Sequence, residues 1–409
     1  MDAATVSVRR DVRILGIIGS GHFLSHFYVL CLPPLFPFFK SEFGVSYAAL
    51  GLLLSIRSIA NGTMQVPVGF LVDRVGARAV LTTGITMMAV GIALISLVQS
   101  YWALVALVVV IGVGSSTFHP ADYSLLNASI AGSKIGRAFS LHTFSGQLGT
   151  ATAPVIIIFL ATLFDWRTAL VLVGLVGIAV MGVLATQWNR IQEDGATSKK
   201  KKTASSMPSL GPETLRGNIG ILLSKPMLIF LAFYSMTSLA SGGLQAFTVV
   251  ALVSLHDTPL AAASGALTGY LFASALGVLL GGVIADRTTR HDIQAALAFI
   301  AGALIMLVVG GVSLHFTVIV FALTLAGLTQ GMIRPARDMM VRAAVPKGAI
   351  GRAFGFVSAG ASVGGALSPV LFGWVIDLGK PEWVFYLLAI IMVLSIGTAM
   401  VPKGTVNRD

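Results

Sequence analysis

Gly136-Arg137-Ala138-Phe139 recurs as Gly351-Arg352-Ala353-Phe354, 215 residues further along the chain. The neighbourhood returns with it: Pro120-Ala121 reappears as Pro335-Ala336, and Pro154-Val155 as Pro369-Val370, at the same offset. An ungapped match of residues 119–155 on 334–370, in a chain of 409, means that one half is a copy of the other. Duplicated halves in a membrane protein point to transport.

The composition puts the duplicated unit in a bilayer. Hydrophobic residues make up 56 % of the chain and charged residues 11 %, with a mean hydropathy of +0.90, which excludes a soluble domain whose apolar residues merely fill a core. Crossing roughly 30 Å of hydrocarbon takes about 20 apolar residues. Twelve such runs are predicted, near residues 13–38, 47–72, 79–98, 101–130, 134–162, 166–188, 225–253, 259–285, 291–311, 314–343, 348–376 and 383–402. The expected fold is an all-α membrane protein whose twelve transmembrane helices form two six-helix bundles. These bundles are predicted over 1–188 and 225–409, joined by a polar linker at 189–224 that carries Lys199-Lys200-Lys201-Lys202. The lysine run reads as a solvated topogenic linker, with a contact to anionic lipid head groups as the alternative.

A net charge of +11 would suit nucleic acid, but its distribution does not. Of the 27 Lys and Arg, three fall in predicted outer loops (Lys40, Arg167, Lys380), three lie within spans (Arg57, Arg334, Arg337), and the other 21 lie on one side. This is the positive-inside asymmetry; it predicts that both termini are cytoplasmic and that no nucleic acid is bound. The first span starts behind Arg9, Arg10 and Arg13, is too long for a signal h-region and shows no small-residue cleavage site, so it is expected to be retained. Cys31, the single cysteine, excludes an internal disulfide and a thiolate metal cluster.

Between the second and third spans, Gly69-Phe70-Leu71-Val72-Asp73-Arg74-Val75-Gly76-Ala77-Arg78 resembles the major facilitator signature G-x-L-a-D-r-x-G-r-r, departing clearly only at Ala77. Gly282-Val283-Ile284-Ala285-Asp286-Arg287 repeats its first part between the eighth and ninth spans. Phe118-His119-Pro120, followed by a glycine-containing fifth span, is similar to the fosmidomycin-resistance-like branch of that superfamily, whose members include proton-driven efflux proteins. Gly146-x-x-Gly149-x-x-x-x-Pro154 only loosely resembles the antiporter motif of many drug exporters, because Ala153 replaces the glycine before the proline. The resemblance implies alternating access in one chain, with the two bundles rocking about a central site.

A helix N-terminus carries unpaired N–H groups and about half a positive charge, which favours a nearby carboxylate. We therefore expect a gating set of Asp73, Arg74, Arg78, Asp286, Arg287, Arg137 and Arg352. In it Asp73 would meet the start of the eleventh span at Gly351-Arg352, and Asp286 the start of the fifth at Gly136-Arg137. The alternative is that Arg137 and Arg352 are ordinary positive-inside anchors.

Ionisable residues inside a span are costly and normally face an aqueous cavity or a partner. Counted from the nearest cytoplasmic loop at about 1.5 Å per residue, His26, Arg57, His119, Gln147 and Arg334 fall roughly 20–24 Å deep, in one layer. His22 and His26 share a helix face, as do Arg57, Asn61 and Gln65. The substrate-binding set expected is thus Arg57, His26, His22, Asn61, Gln147 and Arg334. Arg57, which has no acid within its own span, is expected to be first contact unless it pairs structurally with another helix. His22 and His26 suit proton handling or substrate hydrogen bonding, or are packed histidines. Two histidines without a nearby carboxylate or thiolate in the first span do not make a metal site, so no metal is expected.

His119 and Asp122, at i,i+3, are expected to carry the coupling proton, or else to brace the Pro120 kink. Arg334 lies four residues from Asp338 and three from Arg337, and Arg337 with Asp338 is expected to gate. His142 is predicted to line the cytoplasmic vestibule, while Tyr234 and Tyr270 could supply cavity hydroxyls from the second half.

Three in-membrane arginines against Asp122 and Asp338 leave the pathway positive. The expected activity is proton-coupled secondary transport of a small anionic or zwitterionic organic solute across a bacterial inner membrane, by a monomer with no cofactor. No Walker-type loop serves ATP, and no nucleophile with an oriented base suggests an enzyme. The expected partners are the solute, protons and membrane lipid. Two alternatives stand: a proton-driven multidrug exporter, and a transporter-like sensor or assembly subunit, for which an appended signalling domain would be expected.

Overall fold

The structure, a computed structural model, describes residues 3–130, 135–187, 223–344 and 350–400. The predicted linker lies almost wholly outside them, as do the side chains of Arg137 and Arg352. Every regular element among the described residues is a helix. The first half holds α1 (Ala3–Leu30), α2 (Phe36–Phe43), α3 (Tyr47–Val75), α4 (Ala77–Ile95), α5 (Tyr101–Ser115), α6 (Phe118–Ser129), α7 (Ile135–Leu163) and α8 (Trp166–Gln187). The second holds α9 (Lys225–His256), α10 (Leu260–Arg287), α11 (His291–Gly311), α12 (Phe316–Ala344), α13 (Ile350–Asp377) and α14 (Glu382–Ala399).

Among the described residues, eleven stretches are long and apolar enough to cross a membrane. The first joins α1 and α2 through a 3-10 turn at Pro33–Leu35, where Pro33 and Pro34 have no N–H to continue the α1 ladder. Of the twelve predicted spans, α3 is the one missing from the eleven, because Arg57, Asn61 and Gln65 dilute its apolar sequence; it is nonetheless a helix of 29 residues.

The chain forms two compact units, one of Met1–Val45 with Leu52–Lys200 and the other of Ser46–Gly51 with Lys201–Asp409. In the first, α1 packs on α7, and α4 packs on α5 and α8; in the second, α9 packs on α13, α10 on α12, and α11 on α12 and α14. The duplication is visible in the packing. A Cβ at Gly149 of α7 would collide with the Phe23 carbonyl of α1, and one at Gly364 of α13, 215 residues on, with the Ser235 carbonyl of α9. Helices in lipid gain no hydrophobic drive toward one another, so such backbone-to-backbone approaches supply the dispersion contact that holds each pair.

The halves part company at a shared proline. In the fourth predicted span the helix breaks between Ser115 and Phe118, just ahead of Pro120, whereas α12 runs unbroken through the equivalent Pro335. The difference lies in the preceding turn. Ser115, Ser116 and Thr117 each donate a hydroxyl to the carbonyl three residues back, at Gly112, Val113 and Gly114, over 2.8, 2.7 and 2.9 Å. Those bonds compete with the helical ladder. Their counterparts in α12 are Gln330, Gly331 and Met332, which carry no hydroxyl.

Candidate functional site

The break between α5 and α6 sets the geometry of the first-half site. It starts α6 with His119 and Asp122 in the opening turns and brings Asp122 inward between α1 and α7. Asp122 Oδ2 lies 3.3 Å from His22 Nδ1 on α1 and 3.3 Å from His142 Nε2 on α7. All three side chains are closed off from solvent, with exposures of 0 % for Asp122, 3 % for His22 and 2 % for His142. The two imidazoles lie against each other with centroids 3.8 Å apart and planes tilted by 33°. His26 stands 4.6 Å from His22 by the same measure, and its Nδ1 meets Thr150 Oγ1 at 3.1 Å. Gly146 makes the assembly fit: a Cβ there would come within 2.6 Å of His22 Nε2 and 2.9 Å of His26 Cδ2.

His119 sits at the exposed edge of this group, its ring 6.0 Å from His22 and 5.6 Å from Tyr123. The acid of the sixth helix therefore pairs with His22 and His142 rather than with His119, its neighbour in sequence. Gln147 follows Gly146 on α7 and is half-buried.

A second polar line runs along α3. Gln65 Nε2 donates to Asn61 Oδ1 at 3.1 Å, and Asn61 Nδ2 donates to Ser115 Oγ at 2.7 Å, at the end of α5. Arg57, one turn earlier on the same face, is half-buried and donates from Nη2 only to the adjacent Ser58 Oγ, 3.2 Å away. Among the described residues no carboxylate pairs with it, and its Nε is buried without a hydrogen-bond partner. A guanidinium left this way is ready for an anion, because it stays charged and offers a planar fork of donors.

In the second half, Arg337 and Asp338 pair directly, Nε to Oδ1 at 3.0 Å. Tyr234 of α9 serves both: its hydroxyl donates to Asp338 Oδ1 at 2.7 Å, and Arg337 Cζ lies 3.8 Å above its ring. Arg334, half-buried one turn away, makes no hydrogen bond or ion pair among the described residues. Tyr270 is buried on α10. Asp73, Arg74, Asp286 and Arg287 are exposed at their helix ends, and Arg78 is half-buried. Asp73 borders a surface groove of about 350 Å³ shared with Val66, Phe70, Pro120 and Ser124.

The described residues are thus long apolar helices with charged side chains buried among them. The Major Facilitator Superfamily profile matches residues 18–265 and 243–406. The chain belongs to that superfamily. It is a multi-pass integral membrane protein and a transporter rather than an enzyme. The Fosmidomycin resistance protein of Escherichia coli K12 is 24 % identical over 407 residues, covering 98 % of this chain and 96 % of that protein. Multidrug resistance protein MdtH of Escherichia coli SMS-3-5 is 25 % identical over 385 residues, covering 90 % of each. A crystal structure of a bacterial homologue of the human lysosomal transporter Spinster, inward-facing and unoccupied, superposes with a TM-score of 0.73 over 95 % of both chains at 15 % identity, a likeness of fold.

Two features of this major facilitator site escape sequence reading. His142 belongs with Asp122 and His22, although its apparent depth puts it in a vestibule. The expectation of no metal considered the first span alone, whereas the carboxylate and second imidazole that complete a three-ligand group come from α6 and α7. Arg57 and Asn61 lie on α3 and His22 and His26 on α1, all within the first unit.

Proposed function

We propose that this transporter moves a small anionic or zwitterionic organic solute, of carboxylate or phosphonate type, by proton-coupled alternating access. Arg57 carries the reading of solute class: it is a half-buried guanidinium without a carboxylate partner among the described residues, on the same helix face as Asn61 and Gln65. A permanent cation at that depth costs several kcal/mol unless an anion or water completes it. Arg334 in the second half, half-buried and in no ion pair among the described residues, is assigned to the same solute. His22, His26, Asn61 and Gln147 supply the hydrogen-bonding groups around Arg57.

Asp122, held among histidines, supports a proton as the coupling ion, with His119 at the exposed edge as its exchange point. Arg337 with Asp338, and the repeated cytoplasmic motifs at Asp73, Arg74, Arg78, Asp286 and Arg287, are assigned to gating. The membrane proposed is the bacterial inner membrane, with both termini cytoplasmic and one chain sufficient.

The runner-up is a proton-driven exporter of drugs, favoured by the resistance names of relatives that match along most of this chain. Purified protein in proteoliposomes, given an imposed pH gradient and a panel of labelled carboxylates, phosphonates and lipophilic cations, separates the two. Gradient-dependent movement of an anion is expected. Movement of cations alone would favour the exporter, and a folded protein that moves neither would sink both.

A further inference from the structure

We infer that His22, Asp122 and His142 form a binding site for a first-row divalent cation of the zinc or cobalt type. The site goes beyond the transport reading and does not rest on it: a cation held there takes the place of the proton that reading assigns to Asp122 and occupies His22 as a ligand. Three observations carry it. The ligand-capable atoms of the three side chains all lie within 4.8 Å of one another. Both histidine nitrogens stand 3.3 Å from the same carboxylate oxygen. With metal–ligand bonds of about 2.0–2.1 Å, the edge of a zinc tetrahedron is about 3.3–3.4 Å, so two of the three edges already have the required length.

The third observation is what the group lacks. His22 Nδ1, both Asp122 oxygens and both His142 nitrogens are buried without a hydrogen-bond partner. Buried polar atoms left this way are costly, and the contacts to Asp122 Oδ2 are close without being aligned as hydrogen bonds. One proton on the carboxylate can be donated to only one imidazole. A dication accepts a lone pair from all three side chains at once and neutralises the carboxylate.

The donor set chooses the metal. Two imidazoles and one carboxylate favour zinc, cobalt or nickel over magnesium or calcium, which prefer oxygen throughout. Three protein ligands leave a fourth position for water or for a ligand entering the bundle. The three ligands come from α1, α6 and α7, so an occupied site would tie together three helices of the first unit.

Cobalt binding to purified, tag-free protein in detergent tests the site. Wild type, dialysed against chelator and then titrated with Co²⁺ near neutral pH, should bind one equivalent with the intense visible absorption of a four-coordinate ion, and Zn²⁺ should displace it. Asp122→Asn and His142→Gln should each weaken binding by at least about tenfold. His315→Gln, which removes an exposed histidine, should change nothing. The assignment is overturned if wild type binds no stoichiometric metal, if the spectrum is that of a six-coordinate aquo ion, or if both site variants bind as wild type does. Should neither variant yield folded protein, the wild-type stoichiometry and spectrum alone decide. Because binding is read without flux, its failure is distinguishable from failure of transport.

Discussion

Asp122 Oδ2 stands 3.3 Å from Nδ1 of His22, and neither side chain reaches water. A carboxylate in such a place is costly unless something positive accompanies it. The proposal that Asp122 carries the coupling proton starts from this arrangement.

Replacing Asp122 by Asn keeps the shape and removes the charge. Accumulation driven by a pH gradient should fall by about tenfold or more, while exchange of solute between compartments of equal pH continues. Both are read from the same proteoliposomes. Unchanged accumulation would remove Asp122 from coupling.

Arg57→Lys keeps a positive charge and loses the planar fork. An anion held by two parallel N–H bonds should then bind about tenfold more weakly, seen as a raised KM with kcat little changed. A KM equal to wild type would mean that Arg57 serves structure rather than solute.

Tyr234→Phe deletes one hydroxyl from the Arg337–Asp338 pair and leaves the ring under Arg337. The loss of that hydrogen bond should cost about 1–2 kcal/mol, lowering Tm by a few degrees. Tyr234→Ala should cost more, because the cation–π contact goes too. Equal effects from the two variants would show that the ring contributes nothing.

Asp165 begins α8, and the Thr168 hydroxyl, the Thr168 backbone N–H and the Arg167 backbone N–H all donate to it, holding its carboxyl below the ordinary range. A depressed pKa contributes stability in full above the ordinary value of about 4 and loses it as the pH falls through the folded value. The Tm gap between wild type and Asp165→Ala should therefore be widest near neutrality and close in acid. A gap constant with pH would leave the cap with no electrostatic part.

Much of the fold is legible in the sequence because its causes are local or repeated. A run of about 20 apolar residues declares a span, and the 215-residue offset declares the duplication. Even the α1–α7 and α9–α13 contacts follow that offset, through Gly149 and Gly364. The break ahead of Pro120 is half legible: the proline is plain, but Pro335 shows that it needs the three preceding hydroxyls to take effect.

The site is legible only where its members share a helix. Arg57, Asn61 and Gln65 announce themselves by spacing. His142 does not, since its partners are on α1 and α6 and only tertiary packing brings them together. Spacing also favours Arg334 as the partner of Asp338, because neighbours in sequence do not face one another on a helix. Arg337 nonetheless pairs with Asp338, its guanidinium drawn over the Tyr234 ring.

Arg57 and Arg334, neither in an ion pair among the described residues, have a consequence for finding what this protein carries. A solute that fills such a vacancy binds the folded protein and not the unfolded one, so it stabilises the fold by about 2.7 kcal/mol at a hundred times its Kd and raises the melting temperature accordingly. A library of small anions ranked by the heat the purified protein withstands would then report the cargo before any flux is measured. Loss of the rise in Arg57→Lys would identify which compounds sit at the guanidinium and which merely adhere elsewhere.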